Sequence, residues 1–134
     1  MTPAENLAIV LRVTAAESDY VRRAAVLTAY AESDFRSDVT QGDSVGIYQQ
    51  KPRWWPSATQ GSEAQCRAFV AAFKGEYRRH TGDLVRDCWL VQRWAVPGSA
   101  WPDPGPGFDA APSTVNYSRR VSVVDEIIGT GRLP

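Results

Sequence analysis

Sulfur and imidazole are scarce: the 134 residues include two cysteines, one histidine and one methionine. Cys66 and Cys88 are too few for a disulfide scaffold and lack the CxxC spacing of zinc or redox sites. With His80 as the sole imidazole, a transition-metal site built from three or four N and S ligands is not expected, and no other cofactor is expected either. Charge of one sign is not in excess. Fifteen Lys+Arg balance fifteen Asp+Glu for a formal net charge of +0, which excludes the broad basic field of a nucleic-acid binder. No run approaches the ~20 apolar residues of a membrane span. Residues 1–13 also lack the basic start and small-residue cleavage site of an export signal. No repeat of solenoid length is present, and only the Pro- and Gly-rich stretch 97–112 is compositionally biased.

What remains is ordinary globular material, 43% hydrophobic and 22% charged. A single domain spanning residues 1–134 is expected, monomeric, burying roughly 65–70% of its unfolded surface. Pro3 suits a first helical turn, and Leu7, Val10 and Leu11 give helical spacing over about residues 3–16. Ser18 is an N-cap for a second helix that carries Val21, Ala24, Ala25, Leu27 and Ala31 and ends near Glu32-Ser33-Asp34. Residues 35–61 hold Gly42, Gly46, Pro52, Pro56 and Gly61, too many breakers for a helix, and the segment 44–50 suits a short extended or hairpin element. Ser62 and Gln65 form a capping-box pattern, after which Cys66, Phe69, Val70, Phe73 and Tyr77 share a helical face. Thr81-Gly82-Asp83 ends that helix. Leu84, Val85, Cys88, Val91 and Ala95 restore the period up to Pro97, and Ser113 caps a last helix with Tyr117, Val121, Val124 and Ile128, stopped by Gly129 and Gly131. The sum is a mostly α domain of about five helices around one site-bearing loop or small β element.

The second helix ends in a carboxylate, against the helix dipole, which favours cations there and raises the pKa of a glutamate. Tyr30, Phe35 and Tyr48 are candidates to desolvate it further. Glu32 followed by Ser33, then Ser44-Val45-Gly46-Ile47-Tyr48-Gln49 twelve residues after Glu32, resembles the Glu-Ser and Ser-x-Gly-x-x-Gln motifs of lysozyme-like lytic transglycosylases. The run Gly42-Asp43-Ser44-Val45-Gly46-Ile47-Tyr48-Gln49-Gln50-Lys51-Pro52 is similar to the GDxDSxGLFQQRP loop of actinobacterial and actinobacteriophage members. Val91-Gln92-Arg93-Trp94-Ala95-Val96-Pro97 is similar to their VQ-x-S-x-x-P segment. The resemblance covers about residues 20–97. It departs at the family's Ala-Tyr-Asn-x-Gly motif, for which Asn116-Tyr117-Ser118-Arg119 is a degenerate counterpart.

The resemblance implies a lysozyme-like α+β fold and peptidoglycan glycan strands as partner. The bond cleaved would be the β-1,4 bond between N-acetylmuramic acid and N-acetylglucosamine, with Glu32 as general acid/base. Such cleavage needs a protonated carboxyl beside the leaving oxygen. A hydrolase of this kind also needs a second carboxylate, for which Asp43 is the candidate and loop capping its other use; Asp34 would face away from Glu32. In the lytic transglycosylases the substrate's N-acetyl group takes that role and a 1,6-anhydro sugar results. By resemblance Ser44 and Gln49 order the loop or reach the sugar's N-acetyl group, and Tyr117 joins the substrate-binding set. Gly46 serves backbone geometry or close approach of the glycan. Tyr48 stacks on a sugar or packs. Trp54 and Trp55 line a glycan groove or anchor the loop, and Trp101 is a groove wall or lies flat. Trp89 and Trp94 belong to the core.

Two rival functions remain. A cell-wall peptidase would use Cys66 as nucleophile and His80 as base, although Cys66 falls on an apolar helical face and His80 lies fourteen residues on. A Cys66–Cys88 disulfide is the other use of sulfur. A peptidoglycan-binding domain that has lost turnover is the second rival. A lytic enzyme without an export signal fits a phage endolysin acting from the host cytoplasm on the wall, or a piece of a virion lysin.

Overall fold

The computed structural model describes residues 1–94 and 112–134, the side chains of 93, 94 and 112–114 excepted. Six α-helices are formed among these residues: α1 Pro3–Val13, α2 Asp19–Ser33, α3 Ser62–Gly75, α4 Leu84–Trp94, α5 Pro112–Arg120 and α6 Val124–Thr130. A two-stranded antiparallel hairpin, β1 Thr40–Gln41 and β2 Ser44–Val45, sits between α2 and α3, with Thr40 opposite Val45 and Gln41 opposite Ser44. The expected mostly helical architecture with a small β element is what forms. The expectations for residues 95–111, including Pro97 as a helix stop and Trp101 as a groove wall, and for the Trp94 side chain, lie outside the described residues.

α2 is the central element, packed against every other helix. Its sequence suits that position. Ala24, Ala25, Ala29 and Ala31 are buried along it together with Val26 and Leu27, and small side chains let neighbouring backbones approach closely. Ser18 caps it as expected, its side chain accepting from Val21 N–H. A second layer is aromatic: Tyr48 stacks on Phe69 at 5.0 Å between centroids, Phe69 on Phe73 at 5.8 Å, and Phe73 meets His80 at 4.2 Å.

Several local expectations are corrected by tertiary contacts. α1 stops at Val13, where Thr14 Oγ1 bonds back to Val10 O at 2.7 Å. The Ser62/Gln65 capping box does not form, because Ser62 donates to Asn6 Oδ1 at 2.7 Å and Gln65 is committed to the loop, leaving Gly61 as an N-cap with no side-chain bond. Tyr77 leaves the α3 face for a 3₁₀ turn, Tyr77–Arg79, and is exposed. The last helix is broken by a 3₁₀ turn at Val121–Val123, so Ile127 rather than Ile128 is buried, and Gly129 lies within α6 while Gly131 caps it in the left-handed region.

Candidate active site

α2 ends in two consecutive left-handed residues, Asp34 at φ 54° and Phe35 at φ 60°. Aspartate tolerates this conformation, whereas for phenylalanine it costs about 1–2 kcal/mol. The cost is offset by full burial of the Phe35 ring and by Asn6 Nδ2, which donates to Phe35 O at 2.9 Å. The chain therefore turns sharply just after Glu32. Ser33 then fastens the returning loop, its single hydroxyl proton shared between Ile47 O at 2.8 Å and Ala29 O at 3.1 Å. The Glu-Ser pair thus divides its work, with Ser33 buried as a structural tie and Glu32 half-buried beside it.

Glu32 stands where α2, α4 and α5 meet. Tyr117 of α5 donates its hydroxyl to Glu32 Oε1 at 2.6 Å, and the Gln92 amide of α4 lies against the same carboxyl. Burial pushes the Glu32 pKa above the usual carboxyl range, opposed in part by the Tyr117 and Gln92 contacts, which favour the charged form. The raised direction agrees with the sequence expectation, but its main cause is burial. Tyr117 is itself buried, which together with the facing Glu32 charge holds its phenol well above the ordinary value. It is a permanent donor at any physiological pH. Together these groups make a carboxyl that holds its proton to higher pH than an ordinary glutamate does, the direction a general acid needs.

The loop that carries the motif is organised around Gln65 of α3. Its Oε1 accepts from Tyr48 N–H at 3.0 Å, and its Nε2 donates to Val45 O at 3.1 Å and Ala58 O at 2.9 Å. Gly46, at φ +79°, is what lets this amide in, since a Cβ there would lie 2.2 Å from Gln65 Nε2. The close approach predicted for Gly46 is therefore made by a protein side chain. Gln49, left-handed at φ 48°, orders the loop by donating to Val39 O and Gly46 O, each at 2.9 Å. Gln50, fully buried, donates to Gln65 O and accepts from Ser57 Oγ at 2.6 Å.

Of the expected site residues, Glu32 and Tyr117 are brought into contact. Tyr48 takes the packing role: it is fully buried and donates to Ala25 O at 2.9 Å, so its ring has no face open to a sugar. Ser44 is half-buried in β2. Asp43, in the hairpin turn, is exposed and paired with Lys51 at 3.5 Å, while Asp34 pairs with Arg120 at 3.0 Å. Trp54 and Trp55 are half-buried, and the Arg53 guanidinium lies 5.3 Å from the Trp54 ring centroid. Trp89 is buried.

Cys66 and Cys88 are free and buried, not joined to each other. Burial pushes their thiols up to about 11 and about 12. His80 packs on Phe73, seven residues and roughly 10 Å of helix beyond Cys66, so the two do not form a nucleophile–base pair. Sequence reasoning noted Gln92 only as part of a motif and missed Gln65 as a loop anchor. It also missed Asp87, a buried carboxylate that accepts from Tyr20 Oη at 2.5 Å and from Thr81 and Gly82 N–H at 3.0 and 3.2 Å, tying α2 to the start of α4. Among the described residues no group of His, Cys, Asp and Glu is placed to hold a metal ion, and no helix is long and apolar enough to cross a membrane. No protein-family model matches the chain, and no curated protein matches it.

Proposed function

We propose that this protein cleaves peptidoglycan glycan strands at the β-1,4 bond between N-acetylmuramic acid and N-acetylglucosamine, with Glu32 as general acid and then base, on a lysozyme-like fold. The observation that carries the reading is the state of Glu32: a half-buried carboxyl with a raised pKa, at the end of a central helix and held by a tyrosine hydroxyl at 2.6 Å. It coincides with the Glu-Ser segment, to which the loop is tied through Ser33 Oγ and Ile47 O, and the VQ segment is tied to the same loop through Gln92 Nε2 and Tyr48 O.

Protonated Glu32 gives its proton to the glycosidic oxygen, and the bond to the anomeric carbon breaks as the leaving sugar departs. Asp34 and Asp43 are engaged at the surface by Arg120 and Lys51, which favours assistance by the muramyl acetamido group over a protein carboxylate. Ionised Glu32 then takes a proton from the incoming nucleophile. If that is the muramyl C6 hydroxyl, a 1,6-anhydro end forms; if it is water, a reducing end forms. The Tyr117 hydroxyl holds Oε1 throughout and leaves the other carboxyl oxygen for proton transfer. The test is release of soluble fragments from purified peptidoglycan by the wild type and by Glu32→Gln. Loss of release in a folded variant supports the reading. Release unchanged in Glu32→Gln refutes it, and wall binding without release by the wild type replaces it with a binding domain.

A further inference from the structure

α5 brings little apolar surface to its seat. Among its described side chains, residues 115–120, Tyr117 is the buried one, and Val115 is 40% exposed. Two side-chain hydrogen bonds from one face of the helix fasten it to α2. Tyr117 donates to Glu32 Oε1 at 2.6 Å, and Arg120, three residues on, donates from Nη2 to Asp34 Oδ1 at 3.0 Å. The Arg120 guanidinium also lies 5.1 Å from the Tyr30 ring centroid, and its Nη1 donates to Asn116 O of its own helix at 3.2 Å. Tyr30 and Asp34 stand one turn apart at the end of α2, with Glu32 between them in sequence. Helix ends leave carbonyls unpaired and favour cations, and the last turn of α2 holds no basic residue of its own. Arg120 supplies that cation from α5 while bonding a carbonyl near the end of α5 itself. A lone ion pair to an Asp34 side chain 57% exposed would contribute little. Here the planar guanidinium is fixed by the Tyr30 face, Asp34 and Asn116 together, a geometry that a lysine ammonium does not reproduce.

We propose that Arg120 is a positioning residue for Glu32 that acts through Tyr117: it pins the end of α5 to Tyr30 and Asp34 and so holds the Tyr117 hydroxyl on Oε1. This rests on the glycosidase reading for its functional meaning and on the contacts alone for its physical content. Without the second fastening, α5 is free to turn about the Tyr117 contact. A displacement of about 1 Å carries the 2.6 Å bond beyond hydrogen-bond reach. Glu32 then loses a donor that favours its charged form.

The test follows the Glu32 side-chain carboxyl by ¹³C NMR across pH in Arg120→Gln and Asp34→Gly, its signal identified by its absence from Glu32→Gln. Glycine suits the left-handed φ 54° of position 34, so the turn stays while the carboxylate goes. The two substitutions delete charges of opposite sign. A through-space charge effect would therefore move the Glu32 midpoint up in Arg120→Gln and down in Asp34→Gly, whereas loss of positioning raises it in both. A rise in both is expected. In a Tyr117→Phe background Asp34→Gly should no longer raise it, since the donor being positioned is gone. On peptidoglycan each substitution should lower kcat about threefold, with KM within about twofold. If Arg120→Gln does not fold, Asp34→Gly decides alone. An unchanged or lowered midpoint in Asp34→Gly overturns the proposal, as does a rise that persists undiminished in Tyr117→Phe. Raised midpoints in a protein whose Glu32→Gln variant still cuts the wall would leave Arg120 as a positioning residue for the carboxyl and remove the glycosidase reading instead.

Discussion

Replacing Gly46 with alanine should be among the most damaging single-methyl changes in this protein, and its size can be worked from two separate terms. The backbone at φ +79° charges a side-chain-bearing residue about 1–2 kcal/mol. The new Cβ would lie 2.2 Å from Gln65 Nε2 and 2.7 Å from Cδ and Oε1, so the amide must move. That amide is held by three hydrogen bonds, to Tyr48 N–H, Val45 O and Ala58 O, each contributing about 1 kcal/mol. Losing two or three of them brings the total to about 3–5 kcal/mol, a large part of the 5–15 kcal/mol typical of a domain. Gly42 is the internal control, at φ +61° with nothing within 4 Å of a built Cβ, so Gly42→Ala should lose only the conformational part. Guanidinium unfolding of both variants should show Gly46→Ala less stable than Gly42→Ala by about 2–3 kcal/mol. The gap should shrink in a Gln65→Ala background, because the partner of the clash is gone. Equal losses at the two glycines would refute the reasoning that the motif glycine exists for Gln65.

Tyr117→Phe removes a donor that favours ionised Glu32, so the Glu32 midpoint should rise further, the pH profile of wall cleavage should move to higher pH, and kcat should fall about tenfold. Glu32→Gln should raise thermal stability at neutral pH. A carboxyl whose pKa is higher in the folded state makes the folded state bind more protons, so stability falls as pH rises through the window above its unfolded value. Removing that group should lift Tm by on the order of a few degrees at pH 7, with the gain gone near pH 4, as read by calorimetry. Cys66 and Cys88, with thiols pushed up to about 11 and about 12, should resist iodoacetamide at pH 8 in the native state and react on unfolding, and Cys66→Ala should leave wall cleavage intact.

What the sequence displayed, and what it hid, divides along local and nonlocal forces. The span of α2 was legible because Ser18 caps it and its alanine face has a plain helical period, and that placed Glu32 in the last turn. The small β element was legible from its breakers only in part: of the expected segment 44–50 only Ser44–Val45 forms a strand, and its partner Thr40–Gln41 lies upstream of that segment. Ser62 and Gln65 misled because S-x-x-Q is a local signature, whereas Ser62 answers to Asn6, fifty-six residues away, and Gln65 to the Tyr48, Val45 and Ala58 backbone. Tyr48 was ambiguous for the same reason: an aromatic in a loop motif is open to ligand or core until its neighbours Phe69 and Ala25 are placed. The left-handed Phe35 carries no sequence signal, since the residue ordinarily found there is glycine; Asn6, which holds its carbonyl, is twenty-nine residues upstream. Gln92 stood out only within the VQ segment and Asp87 not at all, because a polar position in a helical period carries no mark of its burial. Only tertiary packing brings Gln92 to the Tyr48 carbonyl and buries Asp87 under Tyr20.

The central claim is that the Glu32 carboxyl breaks a glycosidic bond. Its most direct test is mass spectrometry of the fragments that the wild-type protein and Glu32→Gln release from purified peptidoglycan. The wild type should release disaccharide-peptide products with 1,6-anhydromuramyl ends, and Glu32→Gln none. Hydrated reducing ends would keep Glu32 as the acid but require water as nucleophile. Cleaved stem peptides with intact glycan strands, unaffected by Glu32→Gln, would contradict it.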